Sequence, residues 1–236
     1  MKKTPVLRSG GKAIIITDGE ETRVARVESE YRFAFGLRNA ARVMLNNARD
    51  IAEEESHEMR AFATGAIVLA YSSLEAALNE FIFLNASASN SPLSEECKIL
   101  INAIASENLR PQEKKNTLQM FNVLLRLLGR SELRESENTY QAANLVRILR
   151  NLLVHPMPGR VVTYSENSAE NLSEQQQVVK QLRSRLALAQ YATFPWDVLT
   201  SNCAVWAVDA CENFLHEFVR QSGVDPGFLT DRKSQQ

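Results

Sequence analysis

The stretch from residue 57 to residue 85 constrains this chain more than any other. Phe62, Ile67, Leu69, Leu74, Leu78, Phe81 and Ile82 recur at helical spacing and leave little polar surface around the helix they predict. A helix that is apolar around most of its circumference must be covered by other elements, so it belongs at the centre of a fold. The rest of the chain can supply that cover. Glycine and proline are scarce, 9 and 7 in 236 residues, which favours helix and argues against a sandwich or barrel. Hydrophobic and charged fractions of 44% and 23% are those of an ordinary globular protein.

Helical signals continue on both sides. Val27, Tyr31, Phe35, Leu37, Ala41, Val43, Leu45 and Ile51 predict a helix over 27–55. Further helices are expected over 93–106, over 111–128 with Pro111 as first residue and Gly129 as cap, and over 139–155. A polar, Gln-rich helix is expected over 172–189, and Pro195 is expected to open the last one. The β signal is small. Ala13-Ile14-Ile15-Ile16-Thr17 reads as a strand, Asp18-Gly19 as a hairpin turn and 21–27 as the return, while 160–164 is β-like and is expected to pair with that hairpin. The expected organisation is an arm and β-hairpin over 1–27, one helical domain over 28–222 and a tail over 223–236. The class is all-α, a helical bundle with a small N-terminal β-hairpin accessory.

Charge and cysteines exclude several function classes. A net charge of −1 is not that of a generally basic nucleic-acid coat, but 19 Arg against 8 Lys leaves room for a local anion site. Three cysteines (Cys97, Cys203 and Cys211) without a Cys-x-x-Cys are expected to be buried thiols in a reducing compartment. The N-terminus lacks the apolar core of a signal peptide, and the longest apolar run, 61–71, contains Thr64 and Gly65 and is too short to span a bilayer. A soluble, cytoplasmic protein without membrane attachment is expected. His57, His155 and His216 fall on different helices with no second His or Cys at ligand spacing, so neither a metal nor another cofactor is expected. No phosphate-binding glycine loop and no Gly-x-Ser-x-Gly turn is present.

One segment combines groups that carry chemistry: Leu149-Arg150-Asn151-Leu152-Leu153-Val154-His155-Pro156. Leu145, Leu149, Leu152 and Leu153 form an apolar stripe on the 139–155 helix, and Arg147, Asn151 and His155 fall on a second, polar one, with Arg150 beside it. Pro156 makes His155 the last residue of that helix. Arg and His together can stabilise phosphate charge and move protons near neutral pH. With three His and 19 Arg, an Arg-x4-His spacing arises by chance in about one such chain in four, so the pair draws its weight from its context. Glu75 and Asn79, four residues apart on the apolar helix, are also candidates, and a carboxylate there is expected to meet Arg147 or Arg150. Arg38-Asn39 repeats the Arg-Asn dipeptide without a following His and is expected on the surface. Trp196 and Trp206 are expected in the core or an interface, since no basic cluster interleaves them.

Arg150-Asn151-x-x-x-His155 resembles the Arg-x4–6-His signature of HEPN domains, and the 66–81 helix and the last helix, 203–218, are similar to helices of those proteins. The resemblance spans 28–220 by helix order, with specific identity in two short segments. It implies an α-helical homodimer in which two such motifs face one cleft. It also implies metal-independent endoribonuclease activity, of the kind found in toxins and defence effectors. By that resemblance His155 acts as general acid and base, Arg150 neutralises the phosphoryl group, and Asn151 orients the His or the phosphate. Arg147 and Glu75 then bind RNA or support the pair. Partners implied are RNA, a second copy of the chain, and an antitoxin or defence-system protein. The chain departs from members silenced by a nucleotidyltransferase, which carry Tyr two residues after the His where Met157 stands here. A HEPN-like module without catalysis, binding RNA or a protein, is the alternative, and a helical bundle with a chance motif also stays open.

Overall fold

The computed structural model describes residues 12–18, 21–28, 33–51, 56–87, 94–105, 116–155, 162–163, 172–189 and 191–224. The chain divides into two compact units, Met1–Arg32 and Phe33–Gln236. In the first, β1 (Lys12–Asp18) pairs antiparallel with β2 (Glu21–Glu28), from Lys12 opposite Glu28 to Asp18 opposite Glu21. The register shifts between Ile14 and Ile15, which face Arg26 and Val24, so Ala25 is an extra residue on β2.

The second unit is built from α1 (Phe33–Asp50), α2 (His57–Ser87), α3 (Glu95–Ala105), α4 (Thr117–Leu127), α5 (Asn138–Val154), α6 (Glu174–Leu186) and α7 (Ser201–Ser222). As the sequence implies, α2 is central: α1, α3, α4, α5 and α7 all pack against it. By length and composition alone, His57–Phe83 is apolar enough to cross a membrane, and half of it is buried inside the structure. The α1–α2 contact is the most extensive, and alanines recur among the buried residues of both helices, Ala34, Ala41 and Ala48 on α1 and Ala63, Ala66, Ala70 and Ala77 on α2. Toward the C-terminal end of α2 an aromatic cluster joins four helices. Phe81 meets Phe218 edge-on at 5.3 Å, Phe121 meets Phe218 at 4.7 Å and Phe214 at 5.4 Å, and Tyr140 meets Phe214 at 6.1 Å.

Local chemistry sets the helix ends. Asn116 and Gln119 form a reciprocal capping box at α4, and Ser173 and Gln176 form another at α6. Gly129, at φ +65°, closes α4 with Arg130 N–H donating to Leu125 O and Gly129 N–H to Arg126 O, the paired bonds of a Schellman motif. Gly223 ends α7 in the same left-handed region.

Four expectations are corrected. Val27 lies in β2, and the first helix begins at Phe33; its buried face runs through Ala34, Arg38, Ala41, Leu45 and Ala48, leaving Val43 exposed. The apolar positions chosen from sequence mixed two faces because the true seam is made of alanines, which carry a weak hydrophobic signal. Asn116 is extended and caps α4 at Thr117, so that helix does not run from Pro111, which lies outside the described residues. Pro195 does not open α7. It follows a cis peptide and accepts from the N–H groups of Val198 and Leu199 in a turn, and Thr200 caps the helix by accepting from Cys203 N–H. Lastly, β3 (Val162–Thr163) pairs with β4 (Thr193–Phe194) and not with the N-terminal strands.

Candidate functional site

The site residues sit on α5 and α2. On α5 the positions Ala142, Ala143, Leu145, Val146 and Leu149 are buried, and Leu152 and Leu153 pack partly against the core. That apolar face fixes the helix's rotation and turns Asn144, Arg147, Arg150 and Asn151 toward a partly open flank. The regular helix stops at Val154, leaving His155 as C-cap at φ −120°, ψ 64°, its backbone N–H donating to Asn151 O. The expected Pro156–Gly159 stop lies outside the described residues.

Arg150 is brought to Glu75. Its Nη2 donates to Glu75 Oε2 at 3.2 Å, its Nη1 donates to Asn151 Oδ1 at 3.1 Å, and its guanidinium carbon lies 5.9 Å from the Tyr71 ring centre. The Arg150 side chain is 21% exposed and that of Glu75 37%, so the pair sits at the surface with one face covered. The guanidinium is thereby held in one plane, with an N–H left on each terminal nitrogen. Arg147 does not reach the carboxylate. Its Nε donates instead to Asn144 Oδ1 at 2.9 Å.

Asn151 therefore orients Arg150, and among the described residues its side chain makes no bond to His155. His155 is exposed, and among the described residues its imidazole has no hydrogen-bond partner. Arg150, Asn151 and Glu75 are one cluster. Arg147 stands beside it, and His155 projects from the helix end.

Tyr71 is the member that sequence reasoning missed. It is buried on α2 one turn before Glu75 and lies beneath Arg150. Burial pushes its phenol up to about 12; Thr117 and Arg147 pull against that, and Glu75 adds to it. Its place could have been found from the i, i+4 spacing to Glu75, as Asn144 could from its i, i+3 spacing to Arg147. Arg38 is corrected outright. It is 6% exposed, its guanidinium 5.2 Å from the Phe35 ring, because it occupies the buried seam of α1.

The thiols are as the sequence suggests for Cys203 and Cys211, which are buried and free; burial pushes Cys203 up to about 12. Cys97 is only partly buried, its thiol donating to Leu127 O. Among the described residues no group of three His, Cys, Asp or Glu side chains converges as a metal site would need. A groove of about 690 Å³ lies at the other end of α5, lined by Asn138, Thr139, Arg185, Trp206 and Asp209 among others. None of Glu75, Arg147, Arg150, Asn151 and His155 lines it. No family model, curated protein or solved structure matches this chain.

Proposed function

We propose that this chain is a HEPN-like helical bundle with a β-hairpin accessory, acting in the cytoplasm as a metal-independent endoribonuclease, as toxins or defence effectors do. The observation that carries this reading is the cluster at the end of α5. Arg150, fixed by Glu75 and Asn151, stands five residues before an exposed His155. In the reaction, His155 accepts the proton of a ribose 2′-OH as that oxygen attacks the adjacent phosphorus. The phosphorus–5′-oxygen bond breaks, the leaving oxygen takes up a proton, and a 2′,3′-cyclic phosphate remains. Remaining N–H groups of Arg150 face the charge that builds on the phosphoryl oxygens. The 2′-OH requirement restricts the substrate to RNA.

One chain offers a single Arg-x4-His, and its described residues leave that flank open, so on this reading two copies enclose the phosphate. An antitoxin or defence-system protein is the further partner this reading calls for. The alternative, a HEPN-like RNA- or protein-binding module without catalysis, draws on a specific observation: Glu75 already compensates the charge of Arg150.

The test is cleavage of single-stranded RNA in EDTA, with product ends analysed. Arg150→Ala and His155→Ala are expected to lower the rate by about 10²–10⁴ while circular dichroism stays unchanged. Folded variants that cleave at the wild-type rate would remove the assignment, and a dimer that binds RNA without cutting it would establish the alternative.

A further inference from the structure

Two arginines stand three residues apart on α5, and the structure treats their charges differently. Arg150 is ion-paired with Glu75. Arg147 is held by the neutral amide of Asn144, and among the described residues it has no carboxylate partner. An amide oxygen fixes a guanidinium's plane without cancelling its charge, whereas a carboxylate does both. Arg147 is also only partly exposed, and it pulls down the phenols of both Tyr71 and Tyr140 against the effect of their burial. With protein in place of water over part of its surface, its field toward an anion arriving from the open side is strengthened.

We infer that Arg147 is the residue of this helix face that binds a phosphate group of a nucleic-acid backbone in the ground state, while Arg150, its charge offset by Glu75, adds little to that binding and directs its remaining N–H groups at the reacting phosphoryl oxygens. The division rests on the RNA reading for the identity of the phosphate, and on geometry alone for which arginine receives it. Arg147 keeps four N–H donors free of Asn144, enough for a bidentate grip on two phosphate oxygens.

The test uses the full chain and a fluorescein-labelled single-stranded 2′-O-methyl RNA, which cannot be cleaved, with binding followed by anisotropy across a salt series. Arg147→Gln is expected to weaken binding about tenfold and to make the slope of log affinity against log salt shallower by about 0.7, one phosphate's worth of released counterion. Arg147→Lys keeps the slope. Glu75→Gln uncovers Arg150 and is expected to tighten binding with a steeper slope, which a purely structural role for the pair would not produce. An unchanged slope in folded Arg147→Gln overturns the inference even where cleavage still depends on Arg150 and His155. Should Arg147→Gln fail to fold, the Nε–H resonance of Arg147 in the wild-type protein gives the answer. Its shift on titration with inorganic phosphate, with that of Arg150 unmoved, supports the assignment. If phosphate shifts Arg147 but no oligonucleotide binds, the anion site stands and the RNA reading falls. If neither ligand acts on Arg147, the anion site falls.

Discussion

The two ends of α5 differ in a way that separates shape from chemistry. Its N-terminal end borders a groove of about 690 Å³ shared with α6 and α7. Its C-terminal end carries Arg147, Arg150, Asn151 and His155 on an open flank. From Asn138 to Arg150 is about 18 Å of helix rise, so one ligand of modest size cannot use both. The concave end offers amides, the hydroxyls of Thr139 and Ser184, and Trp206, and among the described residues its charges are Arg185, which donates to Asn138, and Asp209. The C-terminal end has cations and an imidazole, and among the described residues no element covers them. On the proposed reading, enclosure there comes from a second copy, which brings matching residues.

The largest expected effect tests that conclusion. Co-expressed Arg150→Ala and His155→Ala chains form mixed dimers in which one protomer keeps His155 and the other keeps Arg150. With a shared cleft, activity recovers from the ~10²–10⁴-fold loss of either variant alone to a sizeable fraction of wild type. Absence of recovery in purified mixed dimers would place the whole site within one chain. At the other end, Trp206→Leu is expected to leave cleavage within about twofold, since a substitution outside the reacting groups removes no transition-state contact. A loss as large as that of His155→Ala would move the chemistry to the groove.

How much of this was legible in the sequence depends on the strength of each signal. The central helix was legible because apolar residues crowd every face of it, and the Gly129 cap because a glycine after a periodic run has few other uses. The α1 seam was not, because alanine pays little in hydrophobicity yet lets two helices approach closely, and Arg38 entered that seam against its residue type. Pro195 misled because proline suits a first helical turn and a tight turn equally well, and only the Thr200 cap decides between them. Within the site, the Glu75–Arg150 pair was expected from the cost of an unpaired acid on an apolar helix. Choosing Arg150 over Arg147 needed the actual helix rotation, and Tyr71 beneath it needed the crossing of α2 and α5.

A second, intermediate effect concerns how the segment before α5 is anchored. Glu137 caps α5 without a side-chain hydrogen bond, so the helix start is not fixed by its own cap. Asn122, buried on α4, instead clamps the preceding segment, its amide donating to Leu133 O and accepting from Leu133 N–H, both at 2.9 Å. Asn122→Ala leaves both backbone groups of the buried Leu133 unpaired, at about 1–3 kcal/mol each before relaxation. Urea denaturation is expected to show a loss of about 3 kcal/mol. Cleavage per folded molecule should hold, because the clamp serves the groove end of α5 and not the reactive end. A variant equally stable in urea would show that water replaces the clamp.

The smallest effect lies in the groove itself. Burial holds the Asp209 carboxyl above its ordinary range; Glu212 pushes the same way and Arg42 pulls it back. When the folded value lies above the unfolded one, the folded state binds its proton more tightly. The ionised acid therefore costs stability at neutral pH, where both states are deprotonated. That cost fades as pH falls through the folded value, and it is gone below the unfolded one, where both states are protonated. Asp209→Asn should accordingly raise the Tm near neutral pH and converge on wild type in acid. The gain is small because the side chain is largely open to water. A Tm difference that stays constant with pH would trace to packing, and a lower Tm at neutral pH would mean that Arg42 outweighs burial. The groove would then hold a compensated acid, and the electrostatic contrast with the uncompensated Arg147 at the far end of α5 would disappear.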